Sequence, residues 1–119
     1  LILQDAAAVG LDWRTQDWLV GVHCVRILAR PNDPGKPTPE GVHRDAERYT
    51  VQHLIARQGV RGGVFSAYDQ DKRPAFHWLQ LQPWDTLFFC GTTWHSATPI
   101  HSDQCGHRDI LLIDFDPVT

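Results

Sequence analysis

No methionine occurs anywhere in the 119 residues, and the first position is Leu1. A natural chain ordinarily begins with methionine, so a fragment or a processed chain is expected. Cysteine is scarce: Cys24, Cys90 and Cys105 are an odd number without the spacing of a metal knuckle. That argues against a disulfide framework and fits a reducing, cytoplasmic setting. No apolar run is long enough to cross a bilayer and none reads as a secretory signal, so no membrane partner is expected. A surplus of one charge is missing too. Lys+Arg number 11 against 14 Asp+Glu, for a formal net charge of -3. Nine of the basic residues are arginines, but they are scattered, which argues against a nucleic-acid surface.

What is present is chain enough for one domain with one core. A short helix is expected up to Gly10, which would stop it. Leu19–Arg30 reads as a strand, rich in Val20, Val22, Val25 and Ile27. The next ten residues carry four prolines and a glycine, which deny both helix and ladder hydrogen bonds. A mobile active-site loop is expected there, leading into a short strand that ends near His43. From Arg48 onward short strands alternate with turn signals. They are Tyr49–Arg57, Gly63–Asp69, Phe76–Gln82, Thr86–Cys90, His95–Ile100 and Arg108–Phe115. Gly59 to Gly63 is read as a turn and residues 101–107 as a polar loop. Eight short strands with little helix suggest an all-β sandwich or jelly-roll barrel.

The chemistry centres on Gly41-Val42-His43-Arg44-Asp45. His43 and Asp45 are two apart, so in extended chain both side chains point the same way. Two imidazoles and one carboxylate can occupy one face of a divalent metal and leave other positions open. That donor set is the triad of non-haem Fe(II) oxygenases. Alone, H-x-D is common by chance, and seven histidines make a later partner easy to find. Position selects His95, which opens a strand 13 residues before Arg108. His101 and His107 fall in or beside the polar loop. His53 shares parity with Val51 and Ile55, which suits a core role, and His23 and His77 show no nearby partner. Cys90 reads as a small buried apolar residue, and Trp78, Trp84 and Trp94 as core. Arg108 opens an apolar strand, with Ile110 and Leu112 on its own face. On the inward face it needs an anion, because an unpaired buried charge is costly. The alternative is a head that reaches out at the strand end to Asp103 or another surface carboxylate.

Taken in order, these pieces resemble a bacterial family. Pro39 to Asp45, Leu54-Ile55-Ala56-Arg57, Gly62-Gly63, His95-Ser96-Ala97-Thr98-Pro99-Ile100 and Arg108-Asp109-Ile110-Leu111 are similar to the 2-oxoglutarate/Fe(II) dioxygenases that include free L-amino-acid hydroxylases of the L-isoleucine type. The resemblance runs from about Trp18 to Phe115. It implies a double-stranded β-helix (jelly-roll, cupin-like) core over residues 19–119, with 1–18 the remnant of a helical region. It implies His43, Asp45 and His95 on Fe(II) and Arg108 on the distal carboxylate of 2-oxoglutarate. The implied reaction is O2-dependent hydroxylation of a small molecule such as a free amino acid, with release of succinate and CO2. A carboxylate at position 45 also argues against a halogenase, which needs that coordination position for chloride. Where Ala46-Glu47 follow Asp45, the family usually carries a glycine. Two other readings stay open: a cupin-like metal protein that does not use 2-oxoglutarate, and an inactive remnant of the dioxygenase. Self-association into a homo-oligomer is also left open.

Overall fold

The computed structural model describes residues 1–118. One helix, α1 (Ile2–Ala8), precedes nine strands: β1 (Trp18–Ala29), β2 (Tyr49–Gln58), β3 (Arg61–Gly62), β4 (Phe65–Tyr68), β5 (Pro74–Trp78), β6 (Thr86–Cys90), β7 (Trp94–Ala97), β8 (Ile100–His101) and β9 (Gly106–Pro117). They form a four-stranded sheet in the order β1-β9-β2-β6, a three-stranded sheet β5-β4-β7, and a β3-β8 ribbon. This is the all-β core of a jelly-roll double-stranded β-helix, with a short N-terminal helix.

The long strand β9 organises the larger sheet, with β1 on one side and β2 on the other, both antiparallel. Its two parities have different surroundings. Arg108, Ile110 and Leu112 line an interior cavity together with Val25 and Ile27 of β1. Ile113 and Phe115 face the other way and form the best-buried cluster with Val51, Ala6 and Leu11. Both parities are apolar because the sheet is packed on both faces. Each large side chain buried there contributes about 1.5–3 kcal/mol. The outer face is covered only in part. Val22 and Phe88, cross-strand partners of Ile113 and Val51, lie beyond the helix and are 54% and 55% exposed.

Several boundaries differ from the sequence reading. The strand expected just before His43 is a single bridge, His43 to His95. The turn at Gly59 to Gly63 contains β3, because Gly62 at φ +88° sits against the carbonyl of Pro99 and lets the chain pair with β8. The strand expected over His95–Ile100 is interrupted between β7 and β8, and β5 starts at Pro74 and stops at Trp78. β9 begins at Gly106, so His107 lies in the sheet and not in a loop. Cys90 is exposed, as are the other two cysteines. Trp84 is 59% exposed and no core residue. The proline-rich segment is tied down: Gly35 and Ile100 exchange both backbone hydrogen bonds at 2.9 Å.

Candidate metal centre

The segment that brings in His43 is fixed before it arrives. Thr38 Oγ1 accepts from the Ala97 N–H at 3.0 Å and lies 3.1 Å from the Ala97 carbonyl, to which it donates. This lays residues 35–43 along β7 and β8. His43 and His95 then exchange two backbone hydrogen bonds, at 3.0 and 2.9 Å. Directly opposed residues of an antiparallel pair share a face, so the two imidazoles stand side by side, their centroids 4.3 Å apart. Two residues on, the Asp45 N–H donates to the Gly91 carbonyl at 3.2 Å. Gly91 has no room for a side chain, since a Cβ would collide with the Glu47 carbonyl. The Thr50 hydroxyl of β2 donates to Asp45 Oδ2 at 3.3 Å.

The result is a convergence of three donors. Asp45 Oδ1 lies 3.5 Å from His43 Nε2 and 3.5 Å from His95 Nε2. All three ligand atoms fall within 4.8 Å of one another. Each ring's other nitrogen contacts a carbonyl two residues back: His43 Nδ1 meets Gly41 O and His95 Nδ1 meets Thr93 O, both at 2.9 Å. A carbonyl only accepts, so Nδ1 carries the proton in each ring, and in the neutral ring Nε2 is left as a lone pair. Two lone pairs and a carboxylate aimed at one point repel unless a cation sits between them. The donor set therefore fits a divalent metal with two nitrogen ligands and one oxygen ligand.

Charge in the site follows the same geometry. Burial works against ionised Asp45, but the hydrogen bond and charge of His95, the charge of His43 and the Thr50 hydroxyl outweigh it and hold the carboxyl below its usual range. Burial likewise works against protonated His95. Asp45, the Thr93 carbonyl and Glu40 overcome it and raise its pKa above 6.5.

Behind the triad is a cavity of about 240 Å³ between the sheets, walled by Phe65, Phe89, Val25, Ile110 and Leu112. Phe89 lies against the His95 ring at 4.3 Å between centroids, so one side of the site is dry and apolar. Arg108 lines this cavity and is 4% exposed, with its Nε buried and unpartnered. Asp103 pairs with Arg61 at 3.0 Å and not with Arg108, which removes the surface alternative. Burial, and then the nearby charge of Arg57, push the Arg108 guanidinium down to about 10. In front of the triad a wider, open hollow of about 750 Å³ is bordered by Val42, Arg44, Glu47, Tyr49 and Trp94. Arg44 and Lys72 each lie 4.3 Å from the centre of the Trp94 ring.

The structure thus brings His43, Asp45 and His95 together and places Arg108 in the cavity they face. Sequence reasoning missed three neighbours. Thr50 braces Asp45 and Phe89 walls His95, and both are brought in by strand pairing that no local pattern carries. Glu40, whose carboxylate lies 3.2 Å from His43 Nε2, stood three residues away and was legible from proximity alone. Three of the other histidines have ordinary partners. His23 pairs with Asp114 at 2.8 Å, His77 with the Ser66 hydroxyl at 2.7 Å, and buried His53 with Asp5 at 2.7 Å. The first two are corrections, since neither showed a partner in the sequence.

Known proteins resemble this chain in sequence and in fold. The chain is 28% identical over 106 residues to L-isoleucine-4-hydroxylase of Bacillus thuringiensis, covering 86% of this chain and 44% of that protein. It is 30% identical over 100 residues to 3(1)-hydroxy-L-isoleucine 4-dioxygenase of Pantoea ananatis, covering 81% and 40%. The crystal structure of IDO from Bacillus thuringiensis superposes with a TM-score of 0.88 at 24% identity, over 99% of this chain and 55% of that one. The Fe(II)/(alpha)ketoglutarate-dependent dioxygenase TqaL superposes with a TM-score of 0.78 at 16% identity, over 97% and 50%, and shows the same fold. The chain spans less than half the length of the two named relatives it matches in sequence. The family model for 2OG-Fe dioxygenases, oxidoreductases that work with Fe(II) and 2-oxoglutarate, matches residues 1–114, and this chain belongs to that family.

Proposed function

We propose that the protein hydroxylates a small molecule, a free L-amino acid, at the expense of 2-oxoglutarate and O2, releasing succinate and CO2. The strands from residue 19 onward form the catalytic core, and the segment before them packs on it through α1 and Leu11. The observation that carries the reading is the coincidence of two sites: a three-donor convergence and, in the same cavity, a buried arginine without an acid. His43 Nε2, Asp45 and His95 Nε2 would hold Fe(II), and Arg108 would take the distal carboxylate of 2-oxoglutarate. When bound, the iron and 2-oxoglutarate together supply the oxidative decarboxylation and the oxidising power for a C–H bond.

The chain's own residues supply position and dryness. Thr93 and Gly41 hold the two imidazoles by Nδ1, Thr50 orients the carboxylate, and Phe65 and Phe89 keep water from the inner side. The open hollow in front of the triad admits the substrate. The names of the two relatives make L-isoleucine the first substrate to try. Three free, exposed cysteines support a cytoplasmic setting, and no helix among the described residues is long and apolar enough to cross a membrane.

The test is succinate formation from 2-oxoglutarate with Fe(II), with and without each of the common amino acids. Succinate in step with a hydroxylated amino acid is expected. Metal binding without any 2-oxoglutarate turnover would instead favour a metal protein on the same barrel.

A further inference from the structure

Arg57 and Arg108 are direct partners across β2 and β9. This pairing is made by an irregularity. Up to Leu54 the even-numbered residues of β2 face inward, and Thr50 and Gln52 line the interior cavity. Between Leu54 and Ala56 the register slips, with Ile55 as the extra residue. Unbroken alternation would send Arg57 to the outer face; the bulge turns it to the side of Arg108.

Both guanidiniums are left with unspent donors. Arg57 Nη2 donates to the Gly62 carbonyl at 2.9 Å, while its Nη1 is buried and unpartnered. The Nε of Arg108 is in the same state. Gly63, at φ +80°, lets both heads come close to one stretch of backbone, since a Cβ there would stand 3.1 Å from Arg108 Nη1 and 3.6 Å from Arg57 Nη1. No acid among the described residues relieves the pair: burial alone lowers the Arg57 pKa, and burial followed by Arg57 lowers that of Arg108. Arg108 is buried and Arg57 half-buried, and two like charges brought together with donors away from water are costly unless an anion joins them.

We propose that Arg57 is a second anion-binding residue, which with Arg108 forms a two-guanidinium clamp on the distal carboxylate of the 2-oxo acid. The clamp selects a dicarboxylic 2-oxo acid over a monocarboxylic one. Arg108 supplies the charge that lines the cavity, and Arg57, anchored on Gly62, supplies Nη1 from the flank. The inference rests on the reading that Arg108 receives that carboxylate.

The experiment separates the two ideas. 2-Oxoglutarate and pyruvate are titrated into the Mn(II)-loaded protein without oxygen, and the ratio of their affinities is measured. Pyruvate has the same chelating end and lacks the distal carboxylate, so the ratio isolates the clamp. Arg57→Gln is expected to lower the ratio by about tenfold or more, the worth of a charge-assisted hydrogen bond, with pyruvate binding unchanged. Arg108→Gln is expected to collapse it. Should Arg57→Gln not fold, Arg57→Lys decides, with a severalfold loss expected because the charge stays and the fork is gone. An unchanged ratio in the Arg57 variants, with Arg108→Gln collapsed, overturns the clamp and leaves Arg57 as a brace for Gly62. An unchanged ratio in Arg108→Gln overturns the placement of the distal carboxylate, and the clamp falls with it.

Discussion

At His95 the two ring nitrogens have separate tasks, and pH acts on them through one proton. The Thr93 carbonyl holds Nδ1–H, so the titrating atom is Nε2, the one aimed at Asp45. Without metal, the raised pKa of His95 means its pairing with Asp45 contributes stability that is fully present below pH 6.5 and is lost as pH rises through the raised value. The lowered pKa of Asp45 contributes stability present above 3.8 and lost as pH falls through the lowered value. Metal binding has the opposite dependence on His95, because the ion must displace that proton. Mn(II) affinity measured calorimetrically from pH 8 to 5.5 should begin to fall above pH 6.5, approaching about tenfold per pH unit for one displaced proton. An affinity flat down to pH 6 would sink this account. Asp45→Ala removes the one anionic member of the three-donor set. It should weaken metal binding by more than the about 10–100-fold that loss of an outer partner costs. Full hydroxylation by this variant would remove the triad from consideration. Arg108→Lys keeps the charge and loses the fork, a loss of roughly 1.5–3 kcal/mol. The KM for 2-oxoglutarate should rise about ten- to a hundredfold with metal affinity unmoved.

Among the elements, α1 depends most on its surroundings. Seven residues are too few for a helix to hold itself in water, and no side chain caps its start. It stays because Ala6 and, just after it, Leu11 bury against Val51, Ile113 and Phe115, and because Asp5 reaches the buried His53. Breaking a buried pair by removing one partner costs about 3–5 kcal/mol. Asp5→Ala should therefore lower Tm by roughly 10 °C or more. His53→Ala on top of it should cost less than it does alone, because the pair is already broken and only the bond to Thr86 and the packing are left to lose. Additive losses in that double-mutant cycle would show that the two residues act separately.

At the scale of the molecule, the larger sheet is packed on one face by the opposing strands and on the other only where α1 reaches. A groove of about 510 Å³ beyond the helix is lined by Cys24, Ile55, Trp84 and Leu111, with Val22 and Phe88 exposed on the same face. Soluble monomers seldom leave contiguous apolar surface much beyond a few hundred Å². The 119-residue chain should bind a hydrophobic-surface dye or self-associate on a sizing column, and Val22→Lys with Phe88→Lys should reduce both. A monodisperse, dye-negative chain would show that the face is tolerated as it stands. On this face Ile113 and Phe115 are buried beside α1, while Val20 and Val22, which α1 does not cover, are left exposed.

By itself the sequence determined the class of fold, the approximate place of the longer strands, and the order of His43, Asp45, His95 and Arg108 along the chain. These are local properties: alternation, turn residues and spacing are written within a few residues of where they act. The tertiary structure alone decided that His43 and His95 meet through a single bridge, that Asp5 ends beside His53, and that Phe89 stands against the ring of His95. It also decided the side taken by Arg57. Parity reads a strand correctly only while its register is unbroken, and one extra residue at Ile55 inverts every side chain after it. A bulge is settled by what the strand must pair with, and the partner β9 begins nearly fifty residues later in the chain.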